Sequence, residues 1–281
     1  MTTAQQQHHA EHVVTAFLDG PDSPDISNPI HSTAGATAYG YRAALVGGVT
    51  VWGWATPTIL EAVGERWLED GWALVRFRRP TYPGDVLTVQ VDEPSEGAHA
   101  FRMRKADGED ALVGEVGLGR ASWFGEIAEP ERRPGEERPA ELPQLTLERA
   151  RAVGELRPMA TAISEADARE YAIEKQRSTD PRFVGERPLV HPGWIAGRMT
   201  RLMHHSFDYG PAIHASSHIQ NLARFESGQT ITQVGRIVEA YERKGHHYAV
   251  LDARLIGEDG TELTRIRHTT IFQVAKRDSA D

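Results

Sequence analysis

The sequence predicts an α+β fold in which two helix-on-antiparallel-sheet repeats join into a pseudo-dimer. Three observations predict it. An apolar stretch with helical spacing is followed by several short β-rich runs, and the same order recurs about half a chain later. A stretch rich in Pro, Glu and Arg, poor in apolar residues, separates the two copies. A helix laid across one face of a curled antiparallel sheet buries the apolar side of both, and pairing the edge strands of two such units removes exposed edges.

In the first copy, Val51, Trp52, Trp54, Ile59, Leu60, Val63, Trp67 and Leu68 fit one mostly buried helix, with Pro57 near its beginning and Gly71 at its end. Residues 72–78 (WALVRFR) read as a strand, 80–85 (PTYPGD) as a turn, and 86–91, 98–104 and 112–123 as further strands. Asp107-Gly108 supplies the turn between the last two. Upstream, residues 11–18 read as a short helix ended by Gly20-Pro21, and three prolines between positions 21 and 29 make a constrained, extended or turning segment. Gly35 and Gly40 mark the following stretch as a loop.

The repeat defines the second copy. Ala44-Leu45-Val46-Gly47-Gly48-Val49 resembles Pro188-Leu189-Val190-His191-Pro192-Gly193 at an offset of 144, and Gly84-Asp85 stands opposite Gly228-Gln229 at the same offset. Asp107-Gly108 stands opposite Asp259-Gly260 at an offset of 152, which requires an eight-residue insertion before that turn. Residues 195–203 then replace the first helix, and 234–241, 247–256 and 263–272 repeat the strands. Ser164, with Asp167 three residues on, caps a helix over 164–171. The expected organisation is an N-terminal domain over 1–125, an exposed linker over 126–154 and a C-terminal domain over 155–281.

A net charge of -9 argues against a general nucleic-acid surface, and the absence of cysteine removes disulfides, thiol nucleophiles and thiolate metal sites. No stretch approaches the ~20 apolar residues of a membrane-spanning helix, and the N-terminal residues lack a signal pattern, so a cytoplasmic protein is expected. No G-x-G-x-x-G, P-loop or G-x-S-x-G motif is present.

The candidate chemistry lies between Asn28 and Trp54. His31 follows Asn28-Pro29-Ile30, and an imidazole in that loop suits a general base or acid; it could equally pack against the following helix. Gly47 and Gly48 precede that helix, where free N–H groups could meet a developing oxyanion, or form a plain turn. Asp25 is a carboxylate six residues before His31. Asp180 and His191 make a second acid–imidazole pair, and His214 and His218 would point to one side of an extended segment. Arg76, Arg78, Arg79, Arg243 and Lys244 are basic spots able to meet phosphates or to face solvent.

Asn28-Pro29-Ile30-His31, the lead 41–48 (YRAALVGG), and RPLVHPGW at 187–194, YERKGH at 241–246 and IRHTTIF at 266–272 resemble the MaoC-like family of (R)-specific enoyl-CoA hydratases and acyl dehydratases in its double hotdog form. The resemblance covers about residues 10–125 and 155–275. It implies reversible hydration of a trans-2-enoyl-CoA or dehydration of a 3-hydroxyacyl-CoA. His31 would be the base or acid, Asp25 its carboxylate partner, Asn28 a loop- or water-ordering residue and Gly48 the oxyanion donor. The family's aspartate belongs at the position of Ile26, one residue beyond Asp25, and Gly47 stands where the family has histidine. The second copy lacks the tetrad, Asp180-Pro181-Arg182-Phe183 being its remnant, so one site per chain is expected. Arg78, Arg79, Arg243 and Lys244 would hold the phosphates of coenzyme A or of a carrier-protein arm. The thioester is then substrate, with no metal or redox cofactor, no nucleic acid and no membrane involved, and a homodimer of double hotdogs is compatible. A thioesterase and a non-catalytic acyl-thioester-binding protein remain the alternatives, because one fold hosts several reactions.

Overall fold

A computed structural model describes residues 10–23 and 28–275. Its first half contains strand β1 (Ala10–Thr15), helices α1 (Thr33–Ala38), α2 (Gly48–Gly53), α3 (Thr56–Val63) and α4 (Trp67–Asp70), then strands β2 (Gly71–Phe77), β3 (Val86–Val91), β4 (Ala98–Lys105) and β5 (Asp110–Leu118). After helix α5 (Leu147–Ala152), the second half runs β6 (Met159–Ile163), α6 (Glu165–Glu170), a π-helical turn (Tyr171–Lys175), α7 (Pro181–Val184), α8 (Pro192–Ser206), β7 (Ile213–Asn221), β8 (Gln229–Arg243), β9 (His246–Ile256) and β10 (Glu262–Gln273). All ten strands form one sheet in the order β1-β3-β4-β5-β2-β7-β10-β9-β8-β6. Each half contributes five strands with the same connectivity, and the halves meet where β2 pairs antiparallel with β7, Trp72 opposite Gln220 and Arg76 opposite Ser216.

The two glycine-marked turns behave as equivalents: Gly108 and Gly260 both have φ near 88°, a left-handed conformation that costs glycine little. The eight-residue insertion lengthens one hairpin. β8 and β9 exceed β3 and β4, while the loop between them shrinks to Lys244-Gly245.

Three expectations for the first half are corrected. Residues 11–18 do not form a helix; β1 pairs along its whole length with the edge of β3, from Ala10–Val91 to Thr15–Val86. Val13, Val14 and Thr15 suit a pleated strand, and pairing there satisfies the backbone groups that β3 would otherwise expose. The loop around Gly35 contains α1, whose N-cap Ser32 accepts from Gly35 N–H at 3.1 Å. Gly35 serves close approach: a Cβ would lie 2.2 Å from the Pro29 carbonyl oxygen. The long apolar helix is divided into α2, α3 and α4, because Pro57 has no N–H to continue the ladder and starts a new helix, and Gly64 at φ 92° ends it.

The apolar faces meet in one core. Trp52 packs edge-on to Trp67 at 6.1 Å and lies 5.7 Å from Phe101 on the sheet. The two central helices, α2 and α8, pack side by side, with the bare Cα of Gly193 against the Val49 carbonyl and Gly197 against the Val49 side chain. Residues 126–146 are exposed along most of their length but fastened to the outer face of the second half. Ala128 N–H donates to the buried Asp252 carboxylate at 2.7 Å, Arg265 pairs with Glu129 at 2.6 Å, and Leu145 N–H donates to the Asp208 carbonyl at 2.9 Å. No helix among the described residues is long and apolar enough to cross a membrane.

Candidate functional site

Pro29–His31 form a 3-10 turn with Asn28 at its N-cap, so proline's preset φ brings the Asn28 and His31 side chains together. His31 Nδ1 lies 2.8 Å from the Leu45 carbonyl oxygen. A carbonyl only accepts, so Nδ1 carries the proton and Nε2 presents its lone pair. Asn28 Nδ2 sits 3.3 Å from that Nε2. The same amide spans the seam between the halves: Nδ2 donates to the Ala212 carbonyl at 2.8 Å, and Oδ1 accepts from Ala212 N–H at 3.2 Å. This pairing fixes the orientation of the amide. Asn28 is therefore a clamp between the first half's loop and the start of β7.

Gly47 caps α2 and Gly48 opens it. The first N–H groups of a helix have no intrahelical partner, and among the described residues nothing accepts from those of Gly48 and Val49. A Cβ on Gly47 would stand 3.5 Å from Thr50 Oγ1, 3.7 Å from Asp19 Oδ2 and 3.9 Å from His31 Cε1. Asp19 is a site residue that sequence reasoning missed; its only signal was a carboxylate between the first strand and the proline-rich segment. Asp25 lies outside the described residues. Asp22 is engaged elsewhere, accepting from Thr33 N–H at 2.7 Å and Thr33 Oγ1 at 2.5 Å, bonds that hold its carboxyl below the usual range.

Gly48 abuts the second half. A Cβ there would come within 3.1 Å of His214 Cβ and 3.3 Å of the Phe77 ring. His214 and His218 do not share a side of their strand. Opposite β10 the register shifts, with Thr269 facing Ser216 and Thr270 facing His214, so Ala215 forms a bulge that reverses the alternation. His214 turns inward onto Ser217 at 2.8 Å with its ring tilted 45° and 4.3 Å from His268, whereas His218 turns outward onto Trp123 at 4.9 Å. Burial holds His214 well below the ordinary imidazole range and lowers His268 to about 3.

The equivalent position in the second half is filled. His191 caps α8, and its Nδ1 accepts from Gly193 N–H at 3.2 Å, using a donor that a ligand would need. Phe183 packs 4.7 Å and Tyr171 6.1 Å from the His191 ring, and burial lowers its pKa to about 3. Asp180 is committed to Arg182.

Arg78 and Arg79 directly follow β2, beside the start of β7, and are exposed; Arg79 pairs with Glu109 at 3.0 Å. Arg243 and Lys244 sit exposed at the tip of the β8–β9 hairpin. Both sets occupy the end of the sheet that carries Asn28 and Ala212, four strand spacings or about 19 Å apart. Trp52 and Trp54 are core residues. Among the described residues no group of three or more metal-ligating side chains is placed to hold an ion.

No protein-family profile and no curated protein matches the sequence. Solved structures do match. A MaoC domain protein named as a dehydratase, from Chloroflexus aurantiacus J-10-fl, superposes with a TM-score of 0.62 at 14% identity, over 98% of this chain and 97% of its own. A conserved Mycobacterium tuberculosis protein with a double hotdog fold gives 0.55 at 16% identity, over 84% of each chain. The chain has a double hotdog fold. A protein named as an oleoyl thioesterase, from Lactobacillus plantarum, shares this fold with a TM-score of 0.51 at 10% identity, over 97% of this chain and 99% of its own. The double hotdog accounts for the mirrored strand order and for the seam on which Asn28 closes.

Proposed function

We propose that this chain is a hydro-lyase acting on acyl thioesters, hydrating a trans-2-enoyl-CoA to a 3-hydroxyacyl-CoA and running the reverse dehydration. The observation that carries this reading is the meeting, at the seam of a double hotdog, of the His31 imidazole with the open first turn of α2. In hydration, water oxygen bonds C3 and gives a proton to His31 Nε2, which carries the lone pair because Nδ1–H is held by Leu45 and which the Asn28 amide also approaches at 3.3 Å. The π electrons shift to C2 and onto the thioester oxygen, where the N–H of Gly48 and the helix N-terminus meet the charge. His31 returns the proton to C2, so that one water has been added. Asn28 holds the loop in register against Ala212. The basic side chains of Arg78, Arg79, Arg243 and Lys244 hold the phosphates of coenzyme A or a carrier arm.

The test is product analysis with purified protein and enoyl-CoA esters of short, medium and long chain. Appearance of 3-hydroxyacyl-CoA, abolished by His31→Ala, is the expected result. Release of free thiol without hydrated product would assign a thioesterase instead, and acyl-CoA binding without turnover a binding protein.

A further inference from the structure

We infer that Asp19 is the carboxylate that shares the reacting water with His31, an assignment that rests on the hydratase reading above. Asp19 lies nine residues before Asn28, outside the tetrad and its flanks, and folding alone brings it to the site. Its Oδ2 and His31 Cε1 flank the same bare Cα of Gly47, so they lie within 7.6 Å of each other, the sum of their separations from the Cβ position there. A water hydrogen-bonded to both groups at ~2.8 Å each spans at most about 5.6 Å, a separation that lies inside that bound.

The carboxylate is held in place. Thr50 Oγ1, in the first turns of α2, donates to Oδ2 at 2.5 Å. Among the described residues no donor takes Oδ1, which leaves that oxygen to accept from water. The backbone is tied to the second half: Lys175 Nζ donates to the Asp19 carbonyl, and the Arg177 guanidinium stacks 3.7 Å from the Phe17 ring centroid. Both cations belong to the π-helical turn and its end, a local irregularity often found at functional sites. The segment bearing Asp19 is thus clamped across α2 from the opposite half, as Asn28 is clamped at Ala212.

In the forward step water carries two hydrogens. One proton passes to His31 Nε2 as oxygen bonds C3. The other hydrogen stays on the oxygen and bonds to Asp19, which aims the attacking lone pair and offsets the charge of the imidazolium until that proton moves to C2. Gly47 keeps the intervening space free of side-chain atoms.

The experiment uses the full chain with crotonyl-CoA and a trans-2-decenoyl-CoA, in Asp19→Asn, Asp19→Glu and Gly47→Ala variants. Asn keeps an oxygen for the Thr50 hydroxyl, so Asp19→Asn is expected to melt as wild type does, with kcat reduced about 100-fold or more and KM little changed. Asp19→Glu is expected to recover part of that loss. Gly47→Ala needs no refolding, because its Cβ meets its neighbours at ordinary contact distances of 3.5–3.9 Å and its φ of -57° suits any residue. It fills the water position, and activity is expected to fall while the melting temperature holds. Wild-type kcat in Asp19→Asn, or in Gly47→Ala, overturns the assignment and leaves the hydratase reading intact. A wild-type protein that hydrates neither ester removes both together.

Discussion

At His31 one hydrogen bond decides the tautomer. The Leu45 carbonyl holds Nδ1–H, so Nε2 carries the lone pair, which the proposed reaction uses as the base. His31→Ala is expected to fold normally, since the ring is only half-buried, and to lose hydration by about 100-fold or more, read in steady-state kinetics. Asn28 belongs to a different class. Its amide makes two bonds to the Ala212 backbone, and Asn28→Ala leaves those groups unpaired. A loss of about 1–3 kcal/mol in urea unfolding is expected, with activity falling alongside. The buried histidines set a third residue-level behaviour. His191, His214 and His268 are neutral in the fold with pKa values depressed by burial, two of them to about 3. The unfolded chain binds protons at those rings near pH 6.5 and the folded chain does not. Their contribution to stability is therefore full above about pH 6.5 and lost progressively as pH falls towards 3. Melting temperature measured across that window should decline with acidification.

Among the elements, those with a strong local signal were legible. The α6 capping box was readable as Ser164 followed by Asp167, and both reciprocal bonds are present. Ser164→Ala should cost about 1 kcal/mol in thermal or chemical unfolding without affecting turnover. The β3, β4, β9 and β10 runs were legible as alternating apolar residues between Gly turns. β1 was not, because an eight-residue run such as EHVVTAFL fits a helical or a pleated surface, and only the waiting edge of β3 chooses. Nor was the bulge at Ala215, which is a register property of two strands rather than of either. The lengthened β8–β9 hairpin displays Arg243 and Lys244 at its tip. Reversing both charges should raise KM for an acyl-CoA and leave KM unmoved for a thioester that lacks the nucleotide, such as an N-acetylcysteamine ester.

For the whole molecule, the pairing of β2 with β7 turns two half-sheets into one, and the candidate site lies on that seam. Asn28 reaches Ala212, Gly48 rests on His214, and Lys175 holds Asp19. Neither half contains the candidate site alone. The second half's own helix start is stoppered by His191, Phe183 and Tyr171, which explains physically why a repeated architecture carries one candidate centre.

Read as a string, the chain already contained the repeat, the order of helix and strands in each copy, and the tetrad ending at His31. Each is written in near neighbours or in a constant offset between copies. The approach of Asp19 to the start of α2, the sides to which His214 and His218 turn, and the closure of the second centre were settled only by the fold. Each depends on segments far apart in sequence meeting at one seam, and residue type carries no record of which distant backbone it will meet.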